Sequence, residues 1–163
     1  MAKVNGIVLC VFMLSLLAGG CSKAPQFDKA HINMSSQSLR LAYPDLLQLE
    51  DSKDKDGRTV LVFQRSSGSV EKAQYYVRDD KLMGVAVLFS KGTEFDSLVA
   101  KLAENNGQPD QQLNVMGSKA ATWEKGGNFI SVISGTTRTK IQLPTGESVM
   151  LEPKEIVLIL GKK

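Results

Sequence analysis

The stretch Gln74-Tyr75-Tyr76-Val77-Arg78-Asp79-Asp80-Lys81-Leu82-Met83-Gly84-Val85-Ala86-Val87-Leu88-Phe89 decides the fold. Two apolar runs flank four charged residues, the pattern of a β-hairpin with a polar turn. The return strand is apolar on both faces. Leu82, Ala86 and Leu88 line one face; Met83, Val85, Val87 and Phe89 line the other. A strand of that kind belongs at the centre of a sheet covered on both sides, with Gly84 permitting close approach. Asp79 and Asp80 are weighed as paired acids for acid/base work. Arg78 and Lys81 flank them, and the pair reads as a solvated turn.

Outward from the hairpin, Thr93 to Asn106 predicts a helix. Thr93 is a good N-cap, Asp96 completes a capping-box-like pair and Glu94 places acid in the first turn. Phe95, Leu98, Val99 and Leu102 form one apolar stripe; Gly107 ends the helix and Pro109 prevents its resumption. Upstream, Ser35 or Ser36 caps a shorter helix with Leu39, Tyr43, Leu46 and Leu47 at helical spacing, and Pro44 ends or kinks it near Tyr43. Glu50 to Arg58 is a charged turn and Thr59 to Phe63 a strand. Past the second helix, Ala120–Glu124, Asn128–Ile133, Thr139–Leu143, Glu147–Glu152 and Glu155–Leu160 read as short strands around Gly-containing turns. The fold class is α+β, an antiparallel β-sheet with two helical segments packed on it. Met34–Pro44 and Thr93–Pro109 each give a capped helix, a Pro turn and strands, so the layout reads as a degenerate tandem helix-plus-strands repeat.

The N-terminus carries a different signal. Lys3 is followed by the uncharged run Ile7 to Leu17 and by Leu16-Leu17-Ala18-Gly19-Gly20-Cys21. The apolar run is about half the roughly 20 residues a spanning helix needs and fits a signal peptide. The last six residues resemble the lipobox of bacterial lipoprotein precursors, with Ala18 where Leu is commonest. That resemblance implies cleavage between Gly20 and Cys21, with a diacylglyceryl group on the Cys21 thiol and an acyl chain on its amine. Ser22 in place of Asp implies the outer membrane, facing the periplasm. The expected organisation is a signal peptide at 1–20, a lipidated tether at 21–31 and a single α+β domain at 32–163.

The stretch Ile32-Asn33-Met34-Ser35-Ser36-Gln37-Ser38-Leu39 with Pro44 is similar to the opening of the outer-membrane lipoprotein A group (BamE-like proteins). There a Gly-Met-Thr/Ser start opens a helix that ends before a Pro and packs on an antiparallel sheet; Asn33 stands here for the usual Gly. The β-lactamase-inhibitor-protein architecture resembles a tandem version of that layout.

Composition narrows the chemistry. The 163 residues hold 20 Lys+Arg and 17 Asp+Glu; loss of Lys3 with the leader leaves 19 against 17, a balance of +2. Such a balance lacks the clustered basic excess of a nucleic-acid binder. The two cysteines are Cys10, in the leader, and Cys21, at the anchor, so the mature chain has no intramolecular disulfide. His31, the one histidine, sits by the tether and reads as solvated. Ser52-Lys53-Asp54-Lys55-Asp56-Gly57 places two lysines in what would be a calcium loop, and its twelfth position is Phe63, not Glu. Leu143-Pro144-Thr145-Gly146 resembles a sortase signal but reads as a turn. Tyr75, Tyr76 and Trp123 are the candidate binding aromatics, weighed against a role in the core.

These readings converge on a non-enzymatic, lipid-anchored accessory factor that binds an envelope protein at the membrane surface. The alternative is a periplasmic ligand- or cell-wall-binding module with a groove near Tyr75, Tyr76 and Trp123. No catalytic residue, metal ligand or cofactor is expected beyond the lipid on Cys21, and the partners are the membrane and an envelope protein.

Overall fold

The computed structural model describes residues 24–49, 51–54, 56–142 and 148–163. The expected signal peptide, the Gly20–Cys21 junction, the lipidation site Cys21 and the Leu143–Gly146 turn lie outside the described residues. In chain order the elements are β1 (Gln26–Phe27), β2 (Ala30–His31), α1 (Ser36–Ala42), β3 (Leu47–Gln48), β4 (Ser52–Lys53), β5 (Thr59–Ser67), β6 (Val70–Arg78) and β7 (Lys81–Phe89). There follow α2 (Phe95–Asn106), β8 (Gln111–Val115), β9 (Ser118–Lys125), β10 (Asn128–Ser134), β11 (Thr139–Gln142), β12 (Ser148–Leu151) and β13 (Ile156–Lys162). The main sheet runs β3-β5-β6-β7-β13-β10-β9-β8, all antiparallel, with β4 also on β5. The fold is α+β.

The β6–β7 hairpin forms where its sequence predicts it. Arg78 pairs with Lys81, and Asp79 and Asp80 both take left-handed φ, 52° and 56°. Two such residues match the right-handed strand twist in a two-residue turn, and Asp tolerates that region better than most side chains. Strand β7 lies inside the sheet between β6 and β13 and is apolar on both faces. Its face assignment differs from simple alternation. Tyr76 faces Gly84 while Val77 faces Leu82, so Met83 is an extra residue in β7. That bulge shifts the parity by one and puts Leu82 on the same face as Val85, Val87 and Phe89, with Ala86 on the other.

The main core lies on one face of the sheet. Phe63, Tyr75, Val85, Val87, Trp123, Ile130 and Leu158 pack there against Leu39 of α1 and Leu98 and Leu102 of α2. Ser35 caps α1, accepting from the Ser38 N–H at 3.1 Å, and the helix ends at Tyr43 as Pro44 requires. Leu47, expected in that helix's stripe, is exposed in β3. Helix α2 starts one residue later than predicted, with Glu94 as N-cap and no side-chain cap bond. Asp96 accepts from Lys119 Nζ at 2.7 Å, so it is engaged across to β9 and not in a capping box with Thr93. Gly107, at φ 78°, closes the helix through its N–H to the Ala103 carbonyl.

The expected tether at 21–31 is corrected over its second half. β1 and β2 pair around Asp28, and Phe27 and Ala30 are buried in the main core. Asn106 at the end of α2 exchanges hydrogen bonds with the Gln26 backbone at 3.0 and 3.1 Å, and Tyr43 Oη accepts from Lys29 N–H at 2.9 Å. Apart from Phe27 the stretch is polar or small, so its burial is decided by the helix ends it meets.

The recurrence of helix and strands takes a definite form in space. α1 leads to β5 near one edge and inward through β6 to β7; α2 leads to β8 at the other edge and inward through β9 to β10. β13 lies between the two inner strands, antiparallel to both, so β7 and β10 are parallel. Both helices share a face. Units that share face and direction but advance in opposite senses are related as mirror images, and no rotation superposes them.

The reverse face is covered in part by the β11–β12 hairpin. Ile141 and Leu151 pack there on Val157 and Ile159. Arg138 Nε and Nη2 donate to Glu152 at 2.9 and 2.8 Å at its base.

Candidate functional site

The aromatic residues proposed from sequence do not form a site. Tyr75 and Tyr76 are adjacent on β6 and so point to opposite faces, the first into the main core and the second into the small cluster of Val60, Val62 and Ala86. Trp123 lies on β9, with β7, β13 and β10 between it and β6. All three are buried. Trp123 Nε1 donates to the Gly107 carbonyl at 2.7 Å, fastening the end of α2 to the sheet. The groove expected near these residues is therefore corrected: burial of all three side chains decides for the core.

Tyr75 instead stacks with Tyr43, ring centroids 5.3 Å apart at 42°. The Arg65 guanidinium lies 4.5 Å over the Tyr43 ring and 3.7 Å from both Asp28 and Asp45. Burial pushes the Tyr43 phenol up to about 12 and raises that of Tyr75 further. Tyr75 Oη meets the Tyr43 hydroxyl without a hydrogen bond of good geometry, and Arg65 Nε approaches Asp45 no closer than 3.7 Å. This cluster clamps the β1–β2 hairpin and α1 onto β5 and β6.

The remaining charged candidates serve the fold. Asp54 Oδ1 accepts from the Asp56 and Arg58 N–H groups, both at 2.9 Å, and Oδ2 from Arg78 at 2.6 Å. The Arg78 hydrogen bond holds its carboxyl below the usual range. The loop once weighed as a calcium site thus centres its acid on an arginine. Asp80 accepts from the Ser36 N–H and Oγ, tying the hairpin turn to the start of α1, and these bonds lower its pKa. Asp79 does not join it; it lies 3.9 Å from Arg78 Nε. His31 is exposed, with Nδ1 3.2 Å from the Ile32 carbonyl oxygen. Among the described residues no three His, Cys, Asp or Glu side chains come together as a metal-binding group.

Among the described residues two surfaces face outward with apolar groups. One is a groove of about 150 Å³ between the β11–β12 hairpin and the back of β6, β7 and β13. Ala86, Leu88, Met150 and Val157 line it, with Lys72 and Glu155 among its polar residues. Pockets for whole small molecules measure about 300–1,000 Å³, so this one suits a single side chain or a short alkyl segment. The other surface is the sheet's margins. Leu47 is exposed on β3 beside β5, and Leu113 and Val115 on β8 and Met116 in the turn to β9 are 61%, 60% and 94% exposed. Sequence reasoning missed β8 altogether, because Gln111-Gln112-Leu113-Asn114-Val115 has little apolar content. The signal that marks it is Met116-Gly117 at a two-residue turn, with φ 51° and 80°.

No family model, curated protein or solved structure matches the chain.

Proposed function

We propose that this chain is a lipid-anchored bacterial envelope protein, periplasm-facing at the outer membrane, that binds another protein and has no catalysis of its own. The observation that carries the binding role is the placement of exposed apolar side chains at both margins of the sheet, Leu47 of β3 on one side and Leu113 and Val115 of β8, with Met116 in the turn after it, on the other. Apolar groups held outward at a sheet margin are what a protein partner covers. The buried Asp54 is spent on Arg78, and Asp80 on the start of α1, which supports a binding reading over an acid/base one. The anchoring rests on Leu16 to Cys21 and its likeness to a lipobox. Confinement to a bilayer raises the effective concentration of the domain toward other membrane components.

In-cell crosslinking from Leu47 and Leu113 is the test, with the mass of the mature N-terminus measured on the same material. The reading expects an acylated Cys21 and one protein recovered repeatedly from either position. An unmodified N-terminus removes the anchor; crosslinks to lipid alone remove the protein-binding role. A second reading, a ligand-binding module, draws on the groove beside Met150 and Leu88. It expects a short-chain alkyl probe to protect Met150 from oxidation, and no protection sinks it.

A further inference from the structure

The two margins of the sheet are built differently. The outer side of β5 is covered by two short pieces, β3 on Phe63–Gln64 and β4 on Thr59–Val60. Interruption of that kind is a common way to blunt an edge. Among the described residues β8 has no such cover. Among those residues it pairs with β9 alone, and it is exposed at all five positions. From Gln111 to Ser118 it carries no charge, no proline and no bulge that would deter another strand.

Register settles which backbone groups are free. The Met116-Gly117 turn closes on Val115 and Ser118, so Val115, Leu113 and Gln111 exchange their hydrogen bonds with β9. The N–H and C=O groups of Gln112 and Asn114 therefore point away from the sheet. They are two residues apart, and an antiparallel copy related by a two-fold axis at Leu113 pairs each with the other.

We propose that β8 pairs antiparallel with β8 of a second copy of this chain, Gln112 opposite Asn114 and Leu113 opposite Leu113. The pattern is self-complementary. Four backbone hydrogen bonds form, and amide side chains face amides on the face toward α2. Leu113 meets its own copy on the reverse face, where Val115 also lies. A neutral strand does not repel its copy, whereas a charged one would. Five residues a side bury less than the roughly 800 Å² per partner of a standard interface, so the dimer is weak and grows with concentration. This inference is independent of the anchor; at the β8 margin it rests on the binding reading above and names a second copy as the occupant.

The test uses single thiols in the full chain with Cys10→Ser and Cys21→Ser, so that no other cysteine can react. In the proposed register Leu113 and its copy form a non-hydrogen-bonded pair with Cα atoms about 4.5 Å apart, within disulfide reach. Gln111 and its copy lie four residues out of register, beyond it. Mild oxidation of the purified chain is expected to give at least about tenfold more reducible dimer from Leu113→Cys than from Gln111→Cys. Asn114→Pro, which removes an outward N–H at an edge that tolerates proline, is expected to abolish the Leu113→Cys dimer while leaving the circular dichroism unchanged. Equal yields at both positions, a dimer strongest from Gln112→Cys or Asn114→Cys, survival of the dimer with Asn114→Pro, or no dimer at all would each overturn the proposal.

Discussion

Removing one oxygen from Tyr75 and, separately, from Tyr43 should change stability in opposite directions. The rings are neighbours, 5.3 Å apart, and both are buried. Their hydroxyls differ. Tyr43 Oη accepts from the Lys29 N–H at 2.9 Å, and Tyr43→Phe leaves that backbone donor without its partner. A hydrogen bond of this kind contributes about 1 kcal/mol, and an orphaned buried donor costs about 1–3 kcal/mol. Tyr43→Phe should therefore destabilise by about 1–2 kcal/mol. Tyr75 Oη has only a poorly aligned contact with the Tyr43 hydroxyl, so Tyr75→Phe deletes an under-satisfied buried group and keeps the ring packing. It should stabilise by about 1 kcal/mol. The gap of about 2–3 kcal/mol corresponds to about 1 M in urea midpoint at a slope of about 2 kcal/mol/M. The emission of Trp123, the single tryptophan and a buried one, reports the transition. If Tyr75→Phe costs as much as Tyr43→Phe, the two hydroxyls are bonded to each other and the reasoning fails.

Three further outcomes follow from the same contacts. Because the folded state raises the Tyr43 phenol from 10.0 to about 12, its contribution is intact below about pH 10 and is lost as the pH rises to about 12. Tyr75 shifts the same way, so phenolate absorbance should lag in the native protein, and unfolding should bring it on abruptly. Asp54 has the opposite sign: its lowered pKa adds stability above the ordinary carboxylate range that is lost as the pH falls through its folded value. Asp54→Ala should remove that acid sensitivity and, by deleting the Oδ1 acceptor, speed amide exchange at Asp56 and Arg58; unchanged exchange would refute the carboxylate's role as the centre of this turn. Gly117→Ala should cost about 1–2 kcal/mol, since the residue sits at φ 80° and an added Cβ would meet Thr136 Cγ2 at 2.8 Å. A thermal midpoint equal to the parent's would show that the turn relaxes.

The central hairpin, the end of α1 and the stripe of α2 were legible because local chemistry decides them. Apolar residues on both faces of Val85–Phe89 demand cover on two sides, Pro44 stops a helix, and Gly107 supplies the positive φ of a helix end. The binding aromatics were not legible, because Tyr75, Tyr76 and Trp123 have the same composition whether they line a groove or a core. β8 was missed for a related reason. An edge strand buries little, so nothing selects the alternation by which strands are recognised in sequence.

By itself the sequence determined the fold class, the two helices with their C-terminal ends and the β6–β7 turn, since periodicity, proline and glycine act within a few residues. It also carries the lipobox-like run at Leu16–Cys21, which is read as a string and does not depend on the fold. The tertiary structure decided which face each residue meets: the Met83 bulge turned Leu82 inward, and Asn106 and Tyr43 drew Gln26–His31 onto the core. It also decided that β13 would separate two mirror-related units and that β8 would be left with a free edge. Those outcomes depend on pairings between residues far apart in the chain, whose free energy comes from partners that local sequence does not specify.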